Sequence, residues 1–195
     1  YVYLISNFYA GMPAEPTDRT VYIPQVQGKL VEPGDIYIPA AQSGSEYTLI
    51  SAFSLDNPDQ ETDSAAVLGN SGLCYVSEGN IYVTEGIYDG SGGVTQTSIR
   101  RLSFGGGEIA AEAQTKVDGT LKDSFCIDEY EGYLRLVTTV SPVYTAGSGV
   151  QPMTGTGEWT EDIQGSSVEE DTNSLYVLDE NLETVGEIRD LAPDE

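Results

Sequence analysis

Residues 74–88 read CYVSEGNIYVTEGIY, and residues 126–140 read CIDEYEGYLRLVTTV. Each stretch is a cysteine, a short apolar run, a polar turn with a glycine, and a longer run rich in Val, Ile, Leu, Tyr and Thr. At a spacing of 52 residues, Cys74 lies over Cys126 and Ile81 over Tyr133. β-Branched and aromatic residues bounded by Gly, Asn and Asp suit a pleated, half-buried strand, and a glycine-bearing turn between two such runs closes a hairpin. Each hairpin is followed by a second, TSIRRLSFGGGEIAAEAQTKV at 97–117 and NSLYVLDENLETVGEIRDL at 173–191.

Working outward, YVYLISNFY (1–9) and EYTLISAFSL (46–55) supply the later strands of an earlier unit, and DIYIP (35–39) is a further short strand. Residues 109–117, rich in Ala and Glu, suit a helix on propensity, but nine residues make a marginal helix and the neighbours are strands. Four antiparallel strands repeating at about 40–50 residues make a unit the size of a propeller blade. The expected fold is therefore all-β, a partial β-propeller of about three four-stranded antiparallel units, cut at both ends. The first unit takes residues 1–72, the second 73–119 and the third 120–195. Turns are expected at Gly79-Asn80, at Glu129 to Gly132, at Gly105 to Gly107 and at Asp179 to Leu182. Two insertions interrupt the units, a proline-rich one near 10–45 and a Gly/Ser/Thr-rich, acidic one at 141–173 that holds the only tryptophan, Trp159. Long loops of this kind are where binding residues concentrate.

Composition narrows the functions. The chain has 195 residues, 32 acidic and 8 basic side chains, a formal net charge of −24 and no histidine. A surface this negative repels nucleic acid and anionic lipid, so neither is an expected partner. It is compatible with a cation or a basic partner, and more simply with a solvated, self-repelling exterior, so the expected partner is a protein or glycan of unspecified identity. Without histidine there is no His-based triad, His metal site or His proton shuttle. No run reaches the length of a membrane helix, so no membrane insertion is expected. No basic and apolar export signal opens the chain. Cys74 and Cys126 lack any C-x-x-C spacing. A disulfide between them and a pair of buried thiols are both compatible with the sequence.

The segment from Phe125 to Val140 with that from Asn173 to Leu191 resembles the bacterial secreted proteins that carry a C-terminal β-propeller distantly related to WD repeats. The resemblance rests on a Phe-x-x-Asp-Glu-Tyr-x-Gly-Tyr-x-Arg pattern, here Phe125, Asp128, Glu129, Tyr130, Gly132, Tyr133 and Arg135. It rests also on an Asn-x-Leu-Tyr-Val-Leu-Asp pattern, here Asn173 and Leu175 to Asp179. It is strongest over 47–195. It implies a propeller with further blades and a secreted or cell-surface location, and it carries no activity. The motif residues are expected to be structural.

Candidate sites follow from residue types. With the turn at Glu129 to Gly132, Asp128 would pair with Tyr133 and stand diagonal to Arg135, forming an ion pair. Arg135 lies in a strand that reads as apolar on both faces and would need that partner to be buried. Asp56, Asp59, Glu61 and Asp63 fall in one acidic turn, a weak candidate for Ca²⁺, which prefers several oxygen ligands. No other cofactor is expected. No nucleophile elbow, phosphate loop or zinc set is present, so the expected role is a non-enzymatic binding or protein-interaction scaffold. The alternative is a cell-surface protein that binds or hydrolyses glycans, with Tyr88, Tyr144 and Trp159 as stacking residues.

Overall fold

Alternation of apolar and polar residues along the strands stacks three four-stranded sheets side by side. The computed structural model describes residues 1–15, 17–38, 44–69, 72–88, 94–141 and 171–191. The strands are β1 (Val2–Tyr9), β2 (Gln25–Val26), β3 (Lys29–Leu30), β4 (Ile36–Tyr37), β5 (Glu46–Ser54), β6 (Asn57–Gly69) and β7 (Cys74–Val76). They continue as β8 (Asn80–Tyr88), β9 (Val94–Gly105), β10 (Glu108–Asp118), β11 (Ile127–Tyr130), β12 (Tyr133–Val140), β13 (Thr172–Leu178) and β14 (Thr184–Leu191). Sheet orders are β1-β5-β6-β4, β10-β9-β8-β7 and β11-β12-β13-β14, with β2-β3 as a separate hairpin. The second and third sheets are antiparallel meanders, as the repeat implies. Residues 109–117 lie within the strand β10, paired to β9.

The first sheet departs from the meander. β1 pairs β5 and β5 pairs β6, the counterparts of the last three strands of the other sheets. The fourth member, β4, comes from the proline-rich insertion and runs parallel to β6. The insertion is also more than a loop: Val26, Val31 and Ile36 pack on Phe8, Tyr47, Leu49, Ala66 and Leu68 of the sheet. One face of the first sheet is thereby covered by the chain itself.

Two further apolar clusters glue the sheets face to face. Ile50, Ala65 and Val67 of the first sheet meet Ile81, Val83 and Leu102 of the second. Tyr82, Ile99 and Val117 of the second meet Ile127, Leu134, Leu136, Tyr176 and Leu178 of the third. Along β12 exposure alternates strictly: Leu134, Leu136 and Thr138 are buried, while Tyr133, Arg135 and Val137 are exposed. That corrects the reading of β12 as apolar on both faces, since Arg135 stands on the open one.

The turns set the register. Glu131 (φ 51°) and Gly132 (φ 80°) form a two-residue turn with both residues left-handed, the geometry that matches strand twist. Tyr130 is therefore opposite Tyr133, and Asp128 is directly opposite Arg135, not diagonal to it. Gly106 (φ 63°) and Gly107 (φ 91°) form a similar turn between β9 and β10. In the second sheet the turn sits at Glu78-Gly79, one residue earlier than Gly79-Asn80, because Val76 pairs with Ile81 and Ser77 N–H donates to the Asn80 carbonyl. The units consequently align at 53 residues (Cys74 to Ile127, Val83 to Leu136), not 52. A slip of one residue turns every side chain to the opposite face.

Candidate functional site

The densest polar cluster joins the second and third sheets around Glu129. β11 follows a short 3-10 turn, Ser124–Cys126, capped by the Asp123 side chain, which accepts from Phe125 N–H. With Ile127 packed inward, the alternation of β11 sends Glu129 inward too, toward the end of the second sheet. Its carboxylate accepts from Ser77 Oγ at 2.6 Å, from Tyr82 Oη at 2.8 Å and from Asn80 Nδ2 at 3.2 Å. Its backbone N–H donates to Tyr75 Oη at 3.1 Å. Arg101 Nη1 donates to Asn80 Oδ1 at 3.5 Å, bringing a cation to the edge of the cluster. Burial raises the Tyr82 phenol well above its ordinary value, and the Glu129 carboxylate adds to that through hydrogen bond and charge. A neutral phenol donating to a carboxylate is a hydrogen bond that ties the second sheet to the third.

The other motif residues lie on the opposite, open face. Arg135 gives Nη2 to Asp128 Oδ2, and its guanidinium lies 4.8 Å from the centre of the Tyr130 ring. Both members of the pair are about half exposed, 45% and 54%. Tyr133 is exposed beside them and Gly132 makes the turn. Asp128 and Glu129, adjacent in sequence, thus serve different surfaces.

The acidic turn does not assemble as a cation loop. Asp63 spends one oxygen on Ser64 N–H (2.9 Å) and the other on Ile109 N–H (2.7 Å), tying the first sheet to β10 of the second. Glu61 N–H donates to Gln27 Oε1 of the insertion at 3.1 Å, and Asp56 and Asp59 are exposed. Among the described residues no three acidic or cysteine side chains converge to hold a metal.

Of the two states the sequence leaves open, Cys74 and Cys126 are found here as free, partly buried thiols. The 53-residue register puts Ile127, not Cys126, at the place of Cys74. Cys74 packs between the first and second sheets, where burial pushes its thiol up to about 11. Cys126 sits in the 3-10 turn near Asp123. Tyr88 is half exposed at the end of β8, whereas Tyr144, Trp159 and most of the 141–173 insertion fall outside the described residues.

A cleft of about 380 Å³ opens at the end of the second sheet, lined by Gly72, Thr84, Glu85 and Thr97 and by Thr120 and Leu121 of the link that follows β10. The hydroxyls of Thr84, Thr97 and Thr120 donate to the carbonyls of Leu73, Gly119 and Thr139. They hold the walls of the cleft together and are spent on backbone. Ser77, Asn80, Tyr75 and Tyr82 escaped the sequence reading because each is an ordinary turn or strand residue.

Stacked four-stranded sheets, two of them wholly antiparallel, joined through apolar faces and polar clamps, define a propeller-type β protein. The chain matches the family described as "Beta propeller domain" over residues 1–195 and belongs to it. It is similar to an uncharacterized protein of Archaeoglobus fulgidus, 34% identical over 102 residues that make up 52% of this chain and 12% of that one. It is also similar to an uncharacterized protein of Methanocaldococcus jannaschii, 30% identical over 95 residues, 49% of this chain and 11% of that one. The chain thus spans a small fraction of the length of the curated relatives it matches, and those relatives are archaeal, whereas the motif resemblance pointed to bacteria.

Proposed function

We propose that this propeller segment is an extracytoplasmic binding scaffold that presents a strongly anionic surface to a basic protein or a divalent cation, and that it catalyses nothing by itself. The observation that carries the reading is how the positive charge is used. Of five arginines, Arg135 is paired with Asp128, Arg189 with Asp118 and Glu187, Arg101 bonds Asn80, and Arg100 bonds Gln114 beneath the Tyr37 ring. Four of the eight basic side chains are thus committed to internal contacts, and the chain carries 32 carboxylates against them. The extracytoplasmic placement rests on the motif resemblance.

The acidic insertion between β12 and β13 is the surface we assign to binding. Its roots are fixed, since Val140 is paired with Thr172 and Thr139 with Asn173, and Thr139 Oγ1 donates to Asn173 Oδ1 at 3.0 Å. Neighbouring paired strands can be rejoined by a short turn at small entropic cost. Replacing residues 145–170 with a short Gly-Ser link should leave the melting transition in place and weaken binding of Ca²⁺ or of polylysine, and binding to the unaltered chain should fall as salt rises. Unchanged binding in the shortened chain would place the site elsewhere, and loss of folding would make the insertion structural.

A further inference from the structure

The cleft at the end of the second sheet is rich in hydrogen-bond acceptors and poor in donors. Its walls carry three hydroxyls, and each already donates to a backbone carbonyl: Thr84 Oγ1 to Leu73 at 2.8 Å, Thr97 Oγ1 to Gly119 at 2.7 Å and Thr120 Oγ1 to Thr139 at 3.3 Å. A hydroxyl that has given its proton keeps its oxygen lone pairs as acceptors. The amides of Thr84 and Thr120 are likewise spent, on the Leu73 and Thr139 carbonyls. Among the described lining residues Glu85 is the one charged side chain, and it is only 5% exposed.

These walls are fixed by close packing. Gly69 and Gly72 let the link between β6 and β7 lie against this corner of the sheet. A Cβ would stand 2.6 Å from Glu85 Oε2 at the first, and 2.1 Å from the Thr84 carbonyl oxygen at the second. Thr97 is buried and ties the start of β9 to the link after β10. Leu73 and Leu121 add apolar surface beside the threonines. At about 380 Å³ the cleft has the size of a small-ligand site, which combines apolar walls with a few placed polar groups.

We propose that this cleft receives a primary ammonium group, carried by a small amine or by a lysine of a basic partner, with Glu85 as its counter-charge. An alkylammonium brings three N–H donors, no acceptor and an apolar stem, which is the complement of walls that offer oxygen lone pairs, leucine and a carboxylate. An anionic ligand would meet acceptors and a like charge. The net charge of −24 draws cations toward such an opening. The inference rests on the reading of the chain as an anionic scaffold, but it puts the contact on the second sheet, apart from the 141–173 insertion.

The test is an NMR titration of the chain with n-butylammonium chloride, with n-butanol as the neutral control of equal length. The amine should shift the amides of Thr84, Glu85, Thr97, Thr120 and Leu121 saturably, and n-butanol should not. Glu85→Gln should weaken binding roughly tenfold or more, the loss of one charged hydrogen bond. Leu121→Trp, which fills the cleft, should abolish binding, and it decides the matter if Glu85→Gln does not fold. A capped Gly-Gly-Lys-Gly-Gly peptide that competes with butylammonium identifies a partner's lysine as the source, and one that does not compete identifies a small amine. Replacing residues 145–170 with the Gly-Ser link should leave this titration unchanged while weakening polylysine binding, so the two readings fail separately. Equal shifts with n-butanol, shifts scattered over the exposed carboxylates, or unaltered affinity in either variant would overturn the proposal.

Discussion

Tyr82 of the second sheet donates its phenolic hydrogen to Glu129 of the third at 2.8 Å, while its ring belongs to the apolar cluster that joins the two sheets. Glu129 takes three side-chain donors, from Ser77, Asn80 and Tyr82, so its removal leaves several polar groups unsatisfied at once. Each such loss costs about 1–3 kcal/mol where water cannot compensate. Glu129→Ala should therefore lower unfolding stability by about 2–4 kcal/mol, and Glu129→Gln, which keeps one acceptor, by less. A Tyr82→Phe and Glu129→Gln double-mutant cycle in urea should show a coupling of about 1 kcal/mol; additive effects would mean that the bond contributes nothing to stability.

The same pair makes the fold sensitive to alkali. Burial, with help from Glu129, raises the Tyr82 phenol in the folded state above its unfolded value of about 10. A raised folded value means that the folded state holds the proton longer. The stabilisation is complete below the unfolded value and is lost as pH rises beyond it. Cys74 acts with the same sign in the window from its unfolded value, about 8.5, up to about 11 in the fold. Urea midpoints should fall between pH 9 and 11, and Tyr82→Phe should shallow that fall.

Thiol chemistry separates the two cysteines. In denaturant without reductant, a thiol reagent should titrate two groups, since both are free. In the native protein at pH 8, Cys126 should react first. Cys74, packed between sheets and with its thiolate disfavoured by burial, should react only as fast as the sheets open. One rapid and one slow phase are expected; a chain with no free thiol would contradict the geometry.

Strands and units were legible in the sequence because alternation and turn residues are local signals. The second and third sheets are the antiparallel meanders the repeat implies, the first is not, and residues 109–117 are strand despite their alanines. The register was off by one residue, and that error had consequences: it overlaid Cys126 on Cys74, and a misplaced turn put Asp128 diagonal to Arg135. Hairpin register depends on which residues take positive φ, here Glu131 and Gly132 but not Gly79, and composition does not state this. The split of Asp128 and Glu129 between two surfaces follows from strand alternation once the register is known. The packing of the proline-rich insertion onto the first sheet was not legible, because Val26 and Val31 stand in no periodic pattern.

Gly119 illustrates a constraint from close approach. It follows β10 with φ 86°, and a Cβ placed there would lie 2.7 Å from the Thr139 carbonyl oxygen and 2.8 Å from Thr138 Oγ1. Thr120 N–H and Thr139 N–H exchange bonds with each other's carbonyls beside it, so the backbone has little room to yield. Gly119→Ala meets both a backbone clash and a left-handed conformation, and should cost about 2–3 kcal/mol. At Gly28, also left-handed (φ 81°) but with no atom within 4 Å of such a Cβ, the same substitution should cost about 1 kcal/mol. Thermal melts of the two variants give the comparison, and equal losses would show that the crowding at Gly119 is relieved by movement.

Arg135 and Asp128 form an ion pair in full view of solvent, which sets a low ceiling on its value within this chain. Each is about half exposed, salt screens the attraction, and ordering two flexible side chains offsets much of the gain. The cation–π contact with Tyr130 adds about 0.5–1 kcal/mol at such a site. Arg135→Ala should therefore lower the stability of the 195-residue chain by no more than about 1 kcal/mol, with half of that erased at high salt. This contrasts with the larger loss expected at Glu129, although the two residues lie only a few positions apart in the same motif. If Arg135→Ala instead cost several kcal/mol in the 195-residue chain, the guanidinium would be a structural element of the third sheet in spite of its exposure.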